Sequence, residues 1–256
     1  MAALESILAS APLWVIGLIF LLALIAASML GRWVRGKIDQ EKGDSDSAGY
    51  LLSAALALLG LLIAFTFSLA VSRYDSRRIM IVDEGNAIST AWLRSTLVDG
   101  AEGEALRAAI KAYADIRLRL PDAKDHNAIE AASAEAQGVV WQRLRATLPN
   151  LQPPIATTLI TGATEMFDAA ASRKAERNAR IPGRVLDVVS LFAIISAAIV
   201  GYVLGRTEDR RHWVVTTVVF LLLTLAMLLI LDLDRPWSGG ITLDPQPIID
   251  ARAAMN

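Results

Sequence analysis

The chain has no cysteine and only two histidines, His126 and His212, in 256 residues. Without cysteine there is no disulfide, no thiolate metal site and no thiol nucleophile, and the redox compartment leaves no mark on the composition. No Gly-rich phosphate loop and no His-Glu-x-x-His helix occurs, and no basic stretch carries the interleaved aromatics that bind single-stranded nucleic acid. These absences argue against an enzyme and a nucleic-acid binder, and no cofactor or metal is expected. The long apolar runs also lack acidic and basic side chains, apart from Asp187 at the edge of one of them. Pumps and proton-coupled transporters bury ionisable groups at depth; channels with apolar or hydroxyl-lined filters do not need them.

What is present is apolar surface: 54% of the residues are hydrophobic, and the charged residues are confined between the hydrophobic blocks. With 25 basic and 26 acidic residues, the net charge of -1 identifies no partner. Residues 12–30, 50–71, 185–205 and 213–231 each approach the ~20 apolar residues needed to cross a bilayer. The expected fold is therefore an all-α integral membrane protein with four transmembrane helices and a helical aqueous domain inserted between the second and third. Residues 1–49 hold the first span and a short polar loop, 50–97 the second span and a stalk, and 98–183 the rest of the aqueous domain. Residues 184–231 form a helical hairpin and 232–256 an extended tail. The N-terminal MAALESILASAPLW lacks the basic start of a secretory signal, so the first helix is expected to stay in the mature protein.

The second run organises the chain. No proline occurs between Tyr50 and Trp92, so the membrane helix is expected to continue into water without a break. At 100° per residue Ser53, Ala57, Gly60, Ala64, Phe67 and Ser68 share one side, while Leu51, Leu58, Leu62, Phe65 and Leu69 share the other. A small-residue stripe admits a neighbouring helix. In an oligomer it could instead line a pore, with Phe67, or Phe65 if the bulky side faces the axis, as an apolar constriction.

Residues 72–183 read as four helical segments: the stalk to Leu97, then 102–120, 127–147 and 155–180. Their apolar lines are Leu106, Ile110, Tyr113, Ile116 and Leu120; Ile129, Ala132, Ala136, Val139, Val140 and Leu144; and Leu159, Ala163, Met166 and Ala170. Arg173, Arg177, Arg180 and Arg184 follow at helical spacing, and Arg73, Arg77 and Arg78 are expected at the same membrane face. Grouped around an axis they form an anion-attracting vestibule. Alternatively they contact headgroups and pair with Asp75, Glu176 and Asp187. After the last span, Asp232 and Asp234 could attract a cation, but two carboxylates fall short of a calcium site, and capping or pairing with Arg235 is the favoured role.

The layout and three motifs resemble a known family. VDEGNAI on the stalk, with Glu84 and Asn86, LDRPWSG after the fourth span, with Asp234, Arg235, Pro236, Trp237 and Gly239, and LDPQP beyond it are similar to the bestrophin-like domain of bacterial membrane proteins. That family usually has Phe where Trp237 stands. The resemblance implies a bacterial inner-membrane, multi-pass protein and points by analogy to oligomeric anion channels with an apolar neck. No bestrophin pore or calcium-binding motif is matched residue by residue.

Two functions follow: a homo-oligomeric channel conducting inorganic anions, or a nonconducting, bilayer-anchored interaction or regulatory protein that uses its helical domain. Basic residues beside the short loops nearly balance those at the domain junctions. Because long domains are discounted, the helical domain is expected to be extracytoplasmic, whereas the bestrophin analogy implies the reverse.

Overall fold

The computed structural model describes residues 11–38, 45–121, 123–204, 210–236 and 239–255. Its described residues are helical with no strand, in the order α1 (Leu13–Ile38), α2 (Ser45–Ser95), α3 (Gly100–Leu118), α4 (His126–Thr147), a short 3-10 turn (Leu148–Asn150), α5 (Pro153–Asn178), α6 (Gly183–Leu204), α7 (Arg210–Asp234) and α8 (Gln246–Ala253). Four helical stretches are long and apolar enough to cross a membrane: Leu13–Lys37, His212–Asp234, and parts of Gly49–Ser95 and Pro153–Leu204. In the last of these the apolar portion is α6. The chain divides into two compact units, Met1–Arg73 with Arg180–Ile241, and Tyr74–Ala179 with Thr242–Asn256.

The first unit is built on close backbone approach. A Cβ on Gly31 would overlap the backbone of Ala198, and one on Gly201 would overlap that of Ser28. α1 and α6 therefore meet at glycines, as helices in lipid commonly do. Leu24, Leu59, Ala193, Ala197, Val200 and Phe220 form the core. Buried Thr66 and Thr224 donate to the carbonyls of Leu62 and Phe220 one turn back, both at 2.8 Å, so neither hydroxyl is unsatisfied in an apolar setting.

The helix ends of this unit are tied by polar groups. Arg35 Nη1 donates to the carbonyls of Tyr202 (2.6 Å) and Val203 (2.9 Å), covering the C-terminal end of α6, and Arg32 stacks 4.0 Å from the Trp213 ring. The Arg35 contacts satisfy the last carbonyls of α6 and oppose its dipole. Elsewhere in the unit, Asp234 Oδ1 accepts the Ile181 N–H at 2.8 Å, and the Asp232 carboxylate accepts the N–H groups of Gly240 and Ile241. Arg235 Nη1 donates to the Ala11 carbonyl at 2.9 Å.

The second unit packs the end of α2 with α3, α4, α5 and α8 around Ile81, Ile88, Leu106, Ile110, Tyr113, Val140, Leu144, Leu159, Met166 and Ile248. α4 is capped by Asp125, whose carboxylate accepts from the N–H groups of Asn127 and Ala128, the usual role of an acceptor at that position. α5 opens on Pro153 and Pro154, where the missing N–H groups have no helical partner to lose.

Two expectations are corrected here. Val139 is 46% exposed and Ser133 is buried in its stead; the inward line of α4 is Ser133, Val140, Leu144 and Thr147. The tail is not extended: residues 246–253 form α8, and Ile248 and Met255 are buried in the core. Pro247 lies in the first turn of that helix, where it is tolerated. Arg252 Nε holds Asp115 of α3 at 2.6 Å.

Candidate functional site

In the second unit the buried positions of three helices recur every three or four residues. On α2 they are Arg77, Ile81, Glu84, Ile88, Ala91 and Ser95; on α3, Leu106, Ile110, Tyr113 and Arg117, with Leu120 just past its end; on α5, Leu159, Ala163, Met166, Ala170, Arg173 and Arg177. This is the seam of packed helices, yet charged residues occupy several of its positions. They meet one another. Glu84, with no exposed surface, receives Arg117 Nε on Oε1 and Arg173 Nη1 on Oε2, each at 2.5 Å.

A second carboxylate, Glu130 of α4, extends the group: Arg177 Nη2 lies 2.6 Å from Oε1, Arg117 Nη1 3.5 Å from the same atom, and Lys174 Nζ 3.8 Å from Oε2. Arg117 Nη1 also reaches Ser133 Oγ at 3.4 Å. Tyr113 lies beside this group and accepts from Gln137 Nε2 through its hydroxyl at 3.5 Å. The network draws on all four long helices of the unit.

The surroundings fix the protonation states. Burial alone would lower the Arg117 guanidinium, but the Glu84 carboxylate outweighs it and holds Arg117 above its ordinary value. Burial alone would raise Glu130, but the Arg177 hydrogen bond and the Arg117 charge hold it below the usual carboxylate range. Burial pushes the Tyr113 hydroxyl up to about 12. Arg117, Glu130 and Tyr113 thus keep their protonation states at neutral pH, and their part in the network is a fixed electrostatic tie.

The structure distributes the expected basic cluster between different roles. Arg77, Arg173 and Arg177, read as vestibule charges or as headgroup contacts paired with Asp75, Glu176 and Asp187, are buried: Arg173 and Arg177 bind the carboxylates of Glu84 and Glu130, and Arg77 Nη2 donates to the Ala179 carbonyl at the end of α5, at 2.8 Å. Arg78 is exposed. Arg73, Arg180 and Arg184 belong to the first unit, where Arg180 and Arg184 are exposed. On α2, Ser53, Ala57, Gly60, Ala64, Phe67 and Ser68 are all exposed, and a Cβ on Gly60 would meet nothing within 4 Å. Phe65 points away from that stripe, into a groove shared with α6.

Glu84 is the hub of the network, and its neighbour Gly85 joins two motifs. A Cβ there would lie 2.7 Å from the Pro247 carbonyl oxygen, so VDEGNAI packs directly on LDPQP. Asn86 is exposed. In LDRPWSG, Asp234 is buried and Gly239, at φ 150, sits against the Asp232 carboxylate; Trp237 lies outside the described residues. Asp232 and Asp234 accept backbone N–H groups, and among the described residues no cluster of three potential metal ligands occurs.

The sequence profile of the bestrophin-like domain matches residues 17–248, which take in all three motifs. The chain belongs to the bestrophin-like family. No curated protein and no solved structure matches it. In this bestrophin-like protein three of the motif residues are joining residues: Glu84 ties three helices, Gly85 seats α8, and Asp234 tethers Ile181 to the end of α7. Sequence reading missed Arg117 and Glu130. The signal for Arg117 was its place in the apolar line between Tyr113 and Leu120, the spacing that also carries Arg173 and Arg177 beyond Ala170.

Proposed function

We propose that this bestrophin-like membrane protein forms a homo-oligomeric channel for inorganic anions, with α2 lining the conduction path. The observation that carries this reading is the exposed stripe of Ser53, Ala57, Gly60, Ala64, Phe67 and Ser68, where among the described residues a Cβ on Gly60 would meet nothing within 4 Å. In a ring of copies this face would surround the axis, with Phe67 as an apolar constriction. Exposed Arg78 and Arg180 are the candidate charges for concentrating anions, since Arg77, Arg173 and Arg177 are already engaged.

The length of α2 supports an aqueous helical domain between the second and third spans. At 1.5 Å per residue its 51 residues extend about 75 Å, more than twice a ~30 Å hydrocarbon core. The charge distribution favours an extracytoplasmic position for that domain.

A second reading, a nonconducting membrane-anchored interaction protein, draws on Ile79, Val82 and Leu93, apolar residues of α2 that are 55%, 40% and 65% exposed. Planar-bilayer recording of the purified full chain separates the two. The channel reading expects anion-selective conductance, increased several-fold by Phe67→Ala as the constriction widens and shifted toward cations by Arg78→Glu. Conductance no greater than that of empty lipid, across salts, voltages and pH, overturns it.

A further inference from the structure

α2 and α6 leave a groove of about 420 Å³ between them within the first unit, walled by Leu62, Phe65 and Leu69 on one side and Val185 and Val188 on the other. Its surface is apolar throughout: the one hydroxyl, Thr66 Oγ1, is turned to the Leu62 carbonyl of its own helix at 2.8 Å. The groove is open along its side, where Phe65 and Val188 remain 66% and 54% exposed. Both helices belong to stretches long and apolar enough to cross a membrane; in a bilayer an opening between two such helices meets lipid chains. Arg184 lines the groove at the start of α6, where the apolar run begins, which in a bilayer is the depth of the headgroups. It is exposed, and among the described residues it pairs with no carboxylate, not even Asp187 one turn along.

We propose that this groove is a binding site for an anionic phospholipid, with one acyl chain between α2 and α6 and the headgroup phosphate on Arg184. The apolar walls match the chain, and a guanidinium at the rim matches a phosphate, which it binds through two parallel N–H donors. A lipid held there touches α2 through Leu62, Phe65 and Leu69, on the side opposite the small-residue stripe, and so braces that helix from behind. The inference requires only that the spans cross a bilayer and is independent of conduction.

Native mass spectrometry of the detergent-solubilised full chain, titrated with phosphatidylglycerol or phosphatidylcholine, tests it. Wild type is expected to retain phosphatidylglycerol over phosphatidylcholine by roughly fivefold to tenfold, the effect of one well-placed basic side chain. Arg184→Gln brings the two to the same level, and Arg184→Lys keeps most of the preference. Val188→Trp fills the groove and lowers retention of both lipids; Val188→Thr, close in size but with a hydroxyl among the apolar walls, does so more mildly and covers the case in which the larger residue does not fold. Equal retention of the two lipids by wild type overturns the proposal, as does a preference unchanged by Arg184→Gln. It is also overturned if Val188→Trp and Val188→Thr leave lipid retention intact while dissociating the oligomer, because the groove then holds a second copy of the chain.

Discussion

Glu84 is the residue on which the second unit converges, because two guanidinium groups bind its two oxygens away from water. Removing one partner of a buried pair costs more than the pair itself contributes, since it leaves an uncompensated charge. Glu84→Gln is therefore expected to lower the unfolding free energy in a detergent denaturation series by about 3 kcal/mol, whereas Glu84→Leu combined with Arg117→Met and Arg173→Met recovers most of the loss. A Glu84→Gln protein of unchanged stability would contradict the tie. Glu130 sets a pH limit. Its folded value is depressed, so its contribution is complete above the ordinary carboxyl value of ~4.3 and is lost as pH falls from there through the folded value. Tyr113 acts at the other extreme. Its raised value favours the neutral phenol in the folded state, so stability is lost as pH climbs from the ordinary ~10 to about 12. Thermal-shift profiles should flatten on the acid side with Glu130→Gln and on the alkaline side with Tyr113→Phe.

Among the elements, α8 shows how two short motifs far apart in sequence come to depend on each other. It docks where α2 has no side chain, at Gly85, and its Ile248 enters the core. Gly85→Val would drive methyl groups into the Pro247 carbonyl, a small-to-large change in a filled space that typically costs about 1–3 kcal/mol. Hydrogen exchange should show faster amide exchange across residues 246–253, with α2 itself protected. Unchanged protection of α8 would mean that the Gly85 contact does not hold it. α5 illustrates a different point about elements. The face that buries Leu159, Met166 and Ala170 also buries Arg173 and Arg177, because helix geometry turns every third or fourth residue inward whatever its charge, and the carboxylates of α2 and α4 supply what those arginines need.

At the scale of the whole molecule, the position of the helical domain relative to the membrane has a direct test because the chain has no cysteine of its own. In Glu102→Cys the single thiol stands at an exposed position near the start of α3. The charge argument expects it to react with a membrane-impermeant reagent added outside intact cells. Labelling only after the cells are opened would reverse the orientation and favour the arrangement implied by the bestrophin analogy.

The four apolar runs, the helices between them and the continuity of α2 were legible from the sequence, because they depend on local properties: hydrophobic length, periodicity and the absence of proline. The family was legible from three short motifs. Their purpose was not, because it depends on which residues meet. Glu84 and Asn86 are two positions apart, yet one is the fully buried hub and the other is exposed. Arg177 and Arg184 belong to one basic series in the sequence, yet one is buried against Glu130 and the other is an exposed rim on an apolar groove. A charge carries no local sign of its partner. Whether it lies in water, on a headgroup or against a carboxylate is decided by the helices that fold against it, and only the tertiary structure contains that information.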